Sequence, residues 1–197
     1  PDAEVTLGIP CQVDQNGPPE VLLERFMSPP AFPITPGQLR GAWEFLALVP
    51  REYTFEGFEV LVRDIPHKGG RTFGFRISDD GRTFAYLSDH SPVAEGDGPH
   101  GFGAYHEAAL ELAHGADVLV HDAQHTAEEF VIKRDWGHSA IDYAIGLGVE
   151  AGVGRVVLFH HDPPRTDDQL DALLVGAQAM GGDVEVIAAA EGLTLEV

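Results

Sequence analysis

The feature that most restricts the fold of this chain is a change of rhythm after Gly98. From there short apolar runs alternate with helix-forming segments. Asp117–His121 (DVLVH), Arg155–Phe159 (RVVLF) and Val184–Ala189 read as buried strands, because brief apolar runs bounded by turn residues suit strands covered on both faces. Tyr105–His114 carries helical periodicity and ends at Gly115, a residue able to close a helix in the left-handed conformation. Thr126-x-x-Glu129 and Thr166-x-x-Gln169 are capping boxes, the second opening a helix to about Met180. Ser139-x-x-Asp142 resembles a third, opening a helix to about Glu150.

Upstream the pattern is mostly β. Val5–Ile9, Trp43–Val49, Phe55–Ile65, Arg71–Ile77 and Arg82–Ser88 are strand candidates, and Leu193–Val197 is a last one at the far end. Asp80-Gly81 between two of them is a hairpin turn signal. Glu20–Met27 reads as a helix after Pro18-Pro19, and Ser28–Pro36 as a proline-rich loop, since proline removes backbone donors. β first, then β and α alternating, predicts an α/β protein with a mixed sheet covered by helices. The expectation is one domain over residues 1–197, with its N-terminal part missing.

Charge narrows the function. Asp and Glu number 32 against 12 Lys and Arg, for a net charge of −20. A field of that sign repels phosphate backbones, so broad nucleic-acid binding is not expected. A small anionic substrate remains compatible, because bound cations invert the local field. No apolar run reaches the roughly 18 residues of a membrane helix, and no signal peptide is visible, so the expected location is the cytoplasm. The single cysteine, Cys11, cannot form an internal disulfide and reads as a small buried hydrophobe.

Ten histidines is a high count. His67 follows a strand in PHKGG, Asp89 follows one in YLSDH, and His160 follows RVVLF in LFHHDP. Rigid strands can aim all three, and two imidazoles with a carboxylate suit zinc, manganese or iron. Each alone reads equally well as an ordinary loop or core residue. Asp122 in VHDAQHT also follows a strand, and His138 in WGHSAIDYA precedes a helix whose N-terminus favours anions. Spacing leaves two readings of this pair open. Asp122 orients His138 and raises its pKa for phosphate binding or proton donation, or the two only cap a turn and a helix. Trp136, two residues before His138, lines a pocket or packs in the core, and core packing is the expectation, as for Trp43 and Tyr105.

The runs FGFRISDDGRTFAYLSDH, HDAQHTAEEF, WGHSAIDYA and LFHHDP together resemble the second half of a metallo-β-lactamase superfamily hydrolase, in the branch of ribonuclease Z and cyclic-phosphate phosphodiesterases. The similarity runs from about Pro66 to Leu173. It implies an αββα sandwich, of which this is the C-terminal portion, and two divalent metal ions, with zinc expected and manganese or iron compatible. The resemblance further implies that His67 completes one metal site, Asp89 bridges the two metals, and His160 is a ligand of the second. His138 matches the histidine of the branch's GHS motif, at the scissile phosphate or leaving group, and Asp122 the acid paired with it. His161 is a weaker substitute for His160. His90 and His125 are expected behind the ligands or facing solvent.

One departure is large. The family's HxHxDH signature, which supplies most of the ligands, does not occur, and no HxH spacing is present anywhere. The expectation is that an N-terminal half is truncated, cleaved or supplied by another chain, leaving metal occupancy in doubt. The resemblance implies hydrolysis of a small or cyclic phosphodiester. The alternatives are a carboxylic ester or lactone hydrolase, and a fragment inactive without its missing half. An apolar sheet face left open would be buried in a homo-oligomer or against that half.

Overall fold

In this computed structural model, which describes residues 3–12 and 17–197, the apolar runs form nine strands among the described residues. The chain divides into two compact units, Pro1–Val49 and Pro50–Val197. In the first, β1 (Glu4–Pro10) pairs in parallel with β2 (Ala42–Leu48). Gly8 sits where a Cβ would lie 2.6 Å from Leu48 Cδ1, so a side chain there would have to displace Leu48. The helix expected over Glu20–Met27 is shorter, α1 (Glu20–Glu24). Cys11 is only partly buried.

The second unit is built on one seven-stranded sheet whose spatial order follows the sequence: β3 (Glu52–Phe55), β4 (Phe58–Ile65), β5 (Thr72–Asp79), β6 (Arg82–Leu87), β7 (Val118–Asp122), β8 (Arg155–Phe159) and β9 (Glu185–Ala188). β3 to β6 form an antiparallel meander, and β6 to β9 are parallel. Parallel neighbours need crossovers. Those crossovers carry α2 (Glu107–Ala113), α3 (Ala127–Lys133), α4 (Ile141–Ala151) and α5 (Asp167–Met180). The mixed sheet with covering helices is the α/β architecture expected.

The Asp80-Gly81 hairpin is present, both residues having positive φ (45° and 78°), as a tight two-residue turn demands. The run expected as one strand over Phe55–Ile65 is instead a second hairpin, folded at Glu56 (φ 51°) and Gly57 (φ 95°). Glutamate lacks the short side chain that eases Asn or Asp into this region, so the sequence gives only half a turn signal. Residues 193–197 form no strand.

The main core lies between the sheet and the helices. Leu87, Leu119, Val156, Leu112 and Leu147 are all fully buried there. Burying side chains of this size contributes about 1.5–3 kcal/mol each. Strand β7 is buried at every position, and its other face joins Val118, Val120 and Val157 in a smaller cluster. Thr126 and Thr166 form the capping boxes read from sequence. Ser139 does not. The N-cap of α4 is Ala140, and the Ser139 hydroxyl donates instead to the His90 carbonyl at 2.6 Å.

Candidate metal centre

The sheet topology brings four strand ends to one edge. β4 and β6 each run antiparallel to β5, so they point the same way, and β7 and β8 follow β6 in parallel. Their C-terminal ends deliver His67, Asp89, Asp122 and His160 in turn. Asp89 (φ 54°) and His160 (φ 56°) both hold left-handed backbone conformations, which cost a non-glycine residue of order 1 kcal/mol or more and persist where the surroundings enforce them.

Asp89 and His160 meet at 3.2 Å, Oδ1 to Nε2. His138 lies beside them, its ring centroid 4.6 Å from that of His160. One ligand atom from each of Asp89, His138 and His160 falls within 4.8 Å of the others. Two imidazoles and a carboxylate, all partly exposed, are a donor set that zinc, manganese or iron accepts, with coordination positions to spare. The grouping differs from the sequence reading in one member. His67 stands outside the tight set, its ring centroid 5.6 Å from His138. Its Nδ1–H donates to the Gly137 carbonyl at 2.8 Å, which leaves Nε2 to face another partner.

Gly137 makes that contact possible. Its φ is 105°, and a Cβ there would lie 3.1 Å from His67 Cε1 and 3.0 Å from Lys68 Cβ. The same turn is held by Lys68, whose Nζ donates to the Asp135 carbonyl at 2.7 Å. His67 and His138 are thus tied through one short stretch of backbone. Nothing in the sequence beyond the glycine itself signals this.

Asp122 is fully buried and anchors the other side of His138. Its Oδ2 accepts from His138 Nδ1 at 2.7 Å and from His90 N–H at 3.2 Å, and its Oδ1 accepts from Gln124 N–H at 3.2 Å and Ser139 N–H at 3.3 Å. The carboxylate both organises the loops and orients the imidazole. The hydrogen bond to Asp122, reinforced by its charge, raises the His138 pKa above the ordinary histidine value. With Nδ1–H committed to Asp122, His138 Nε2 is the nitrogen not engaged by the carboxylate.

Behind this group lies a second set of histidines. His90 and His121 are fully buried, and desolvation first of all lowers both pKa values, so both stay neutral. His90 Nε2 pairs with the Tyr143 hydroxyl at 3.0 Å, and His121 Nδ1–H donates to the Asp122 carbonyl at 2.7 Å. His125 is also sealed, and neither ring nitrogen has a hydrogen bond among the described residues. His90 and His125 therefore lie behind the site; neither faces solvent.

His125 forms a further acid–imidazole group with Glu129 and Asp162 that the sequence reading missed. Arg165 pairs with Glu129 at 2.5 Å and Lys133 with Asp162 at 2.6 Å. Two cations already balance the two carboxylates, so this group is a poor host for a metal. His161 turns away to the Ala189 carbonyl at 3.1 Å. Trp136 is 61% exposed, against the expected core packing.

Over residues 4–161 the chain matches the beta-lactamase superfamily domain. It belongs to that family. Ribonuclease Z from Thermoplasma acidophilum is 30% identical over 115 residues, 58% of this chain and 30% of the relative. Ribonuclease Z from Bacillus cereus is 34% identical over 82 residues, 42% of this chain and 27% of the relative. The chain spans under a third of either relative's length. The fold is that of the Bacillus subtilis metallo-beta-lactamase fold protein YhfI, at TM-score 0.66 and 19% identity, covering 95% of this chain and 64% of that one. A diphosphatase from the PhnP family is similar at TM-score 0.63 and 17% identity, covering 99% and 59%. No helix among the described residues is long and apolar enough to cross a membrane.

Proposed function

We propose that this chain carries part of the active site of a metal-dependent phosphodiesterase acting on a small or cyclic phosphodiester. The observation that carries the reading is the buried Asp122 carboxylate fixing His138 beside the Asp89–His160 pair at the strand ends. Asp89 and His160, with His67 through its free Nε2, are the residues that would hold divalent metal, zinc being the first expectation and manganese or iron compatible. Metal bound there would supply Lewis-acid charge to a phosphoryl oxygen.

The protein's own groups supply the rest. A raised pKa keeps the His138 imidazolium available near neutral pH, and Nε2–H can hydrogen-bond a phosphoryl oxygen or deliver its proton to the leaving oxygen. Asp122 holds the tautomer and stabilises the charge, as three backbone N–H groups fix the carboxylate itself. Proteins similar to this chain bear the names ribonuclease Z and diphosphatase, both implying cleavage at phosphate. The net charge of −20 favours a small substrate over a long polyanion.

The test compares hydrolysis of bis-p-nitrophenyl phosphate with that of p-nitrophenyl acetate, with zinc or manganese present, for the native protein and Asp89→Ala. The proposal expects phosphodiester turnover that Asp89→Ala abolishes. Turnover of the acetate alone would instead indicate a carboxylic ester hydrolase. Activity appearing only when an N-terminal half is added would make this chain a partial site.

A further inference from the structure

The turn that carries His138 also carries an exposed aromatic ring and gathers unusual charge. Trp136 closes the short helical turn Arg134–Trp136, one residue before the Gly137 carbonyl that accepts from His67 and two before His138 itself. The indole is 61% exposed, although a large aromatic surface of this kind is ordinarily worth burying. One side of the ring is occupied, with Lys133 Nζ 5.3 Å from its centroid. Lys133 is in turn fixed by Asp162 at 2.6 Å. The ring is held from one side and open to solvent elsewhere.

The chain has only two lysines, Lys68 and Lys133, against a net charge of −20, and both are bound to this turn. Lys68 directly follows His67 and donates to a neutral acceptor, the Asp135 carbonyl. Among the described residues no carboxylate forms an ion pair with it. An ammonium held on the backbone one residue before an exposed aromatic ring offers what a phosphate bearing a flat ring requires: the ring stacks, and the cation takes a phosphate oxygen.

We infer that Trp136 and Lys68 form a recognition subsite for the aromatic, base-like group and the phosphate of the substrate, with Trp136 as the stacking face and Lys68 as the anchor. This rests on the phosphodiesterase reading above and assigns the part of the substrate that does not leave. It predicts preference for a phosphodiester whose retained group is a base over one whose retained group is a small alkyl.

Two esters with the same leaving group isolate that preference, thymidine 5′-(p-nitrophenyl phosphate) and methyl p-nitrophenyl phosphate. The native protein is expected to favour the thymidine ester in kcat/KM. In Trp136→Ala the ratio between the esters should fall about tenfold, as loss of one base–aromatic stack implies, while Trp136→Phe retains most of it. Lys68→Ala should lower kcat/KM for both esters and flatten its dependence on salt. A ratio unchanged in Trp136→Ala overturns the inference.

A second readout does not need turnover. In Trp43→Phe, Trp136 is the only tryptophan left, and thymidine 5′-monophosphate should quench its fluorescence saturably. Absence of saturable quenching also overturns the subsite. If neither ester is hydrolysed, even with an N-terminal half supplied, but quenching saturates, the phosphodiesterase reading fails and the subsite stands.

Discussion

At the ends of β6 and β7 the chain alternates between two environments one residue apart. Asp89 reaches the open group with His138 and His160, while His90, its neighbour, is sealed against Tyr143. Asp122 holds His138, while His121, its neighbour, is fully buried on the opposite face of the strand. In the open group the hydrogen bond to Asp122 supports the charge of His138. In the sealed group desolvation wins and the rings stay neutral. Which side of a strand end a residue leaves therefore decides whether it joins the open group or the sealed one, and substitutions should separate the two.

The largest expected effect lies on the open side. His138→Ala should reduce kcat on a phosphodiester by about a hundredfold or more, the usual contribution of a positioned proton donor, with a modest loss in urea midpoint because the buried Asp122 carboxylate loses its imidazole partner. Asp122→Ala should combine that loss with a stability cost of about 3 kcal/mol in urea unfolding, because it strips a buried acceptor from three backbone N–H groups and an imidazolium. An equal loss of stability in the two variants would mean that Asp122 does no more for the fold than its bond to His138.

The sealed side should show the converse. His121→Ala is expected to cost about 2 kcal/mol through the cavity it opens, while metal affinity measured by calorimetry changes less than about threefold. Gly137→Ala tests the link between the histidines of the open side. Its Cβ would press on His67 and its φ is unfavourable for alanine. Metal affinity should fall about tenfold, as with other groups that orient a ligand, alongside a loss of about 1 kcal/mol of stability. Unaltered metal binding in Gly137→Ala would remove His67 from the site.

The smallest effect is in the pH dependence of stability, where the two sides carry opposite signs. His138 has a raised pKa, so its contribution is fully present below the unfolded value of about 6.5 and is lost as pH rises through the folded value. His90 and His121 have lowered values, so their contributions are present above about 6.5 and are lost as pH falls toward the folded values. In thermal melts between about pH 5 and 8, His121→Leu should flatten the acid-side loss of Tm and His138→Gln should steepen it. Identical slopes in the two variants would contradict the assignment.

Much of this arrangement was legible in the sequence, and the exceptions share a cause. Strand ends show as apolar runs meeting polar residues, so His67, Asp89, Asp122 and His160 were all read as strand-end groups. Capping boxes are local, and those at Thr126 and Thr166 formed. What depended on distant partners was hidden. Ser139 left its local role for the His90 carbonyl, 49 positions away. His67 is tied to the Gly137 carbonyl, 70 positions away, a link that spacing along the chain does not show. The exposure of Trp136 is likewise a property of the turn it closes, and hydrophobicity alone pointed the other way.

The most direct test of the account is a zinc titration followed by isothermal calorimetry on the native protein, Asp89→Asn and His121→Ala. Asparagine tolerates the left-handed backbone at position 89, so the first variant removes charge with little disturbance of the fold. The account predicts saturable zinc binding by the native protein, loss of that binding in Asp89→Asn, and its retention in His121→Ala. Equal binding by native protein and Asp89→Asn, or binding lost only in His121→Ala, would place the metal elsewhere and contradict it.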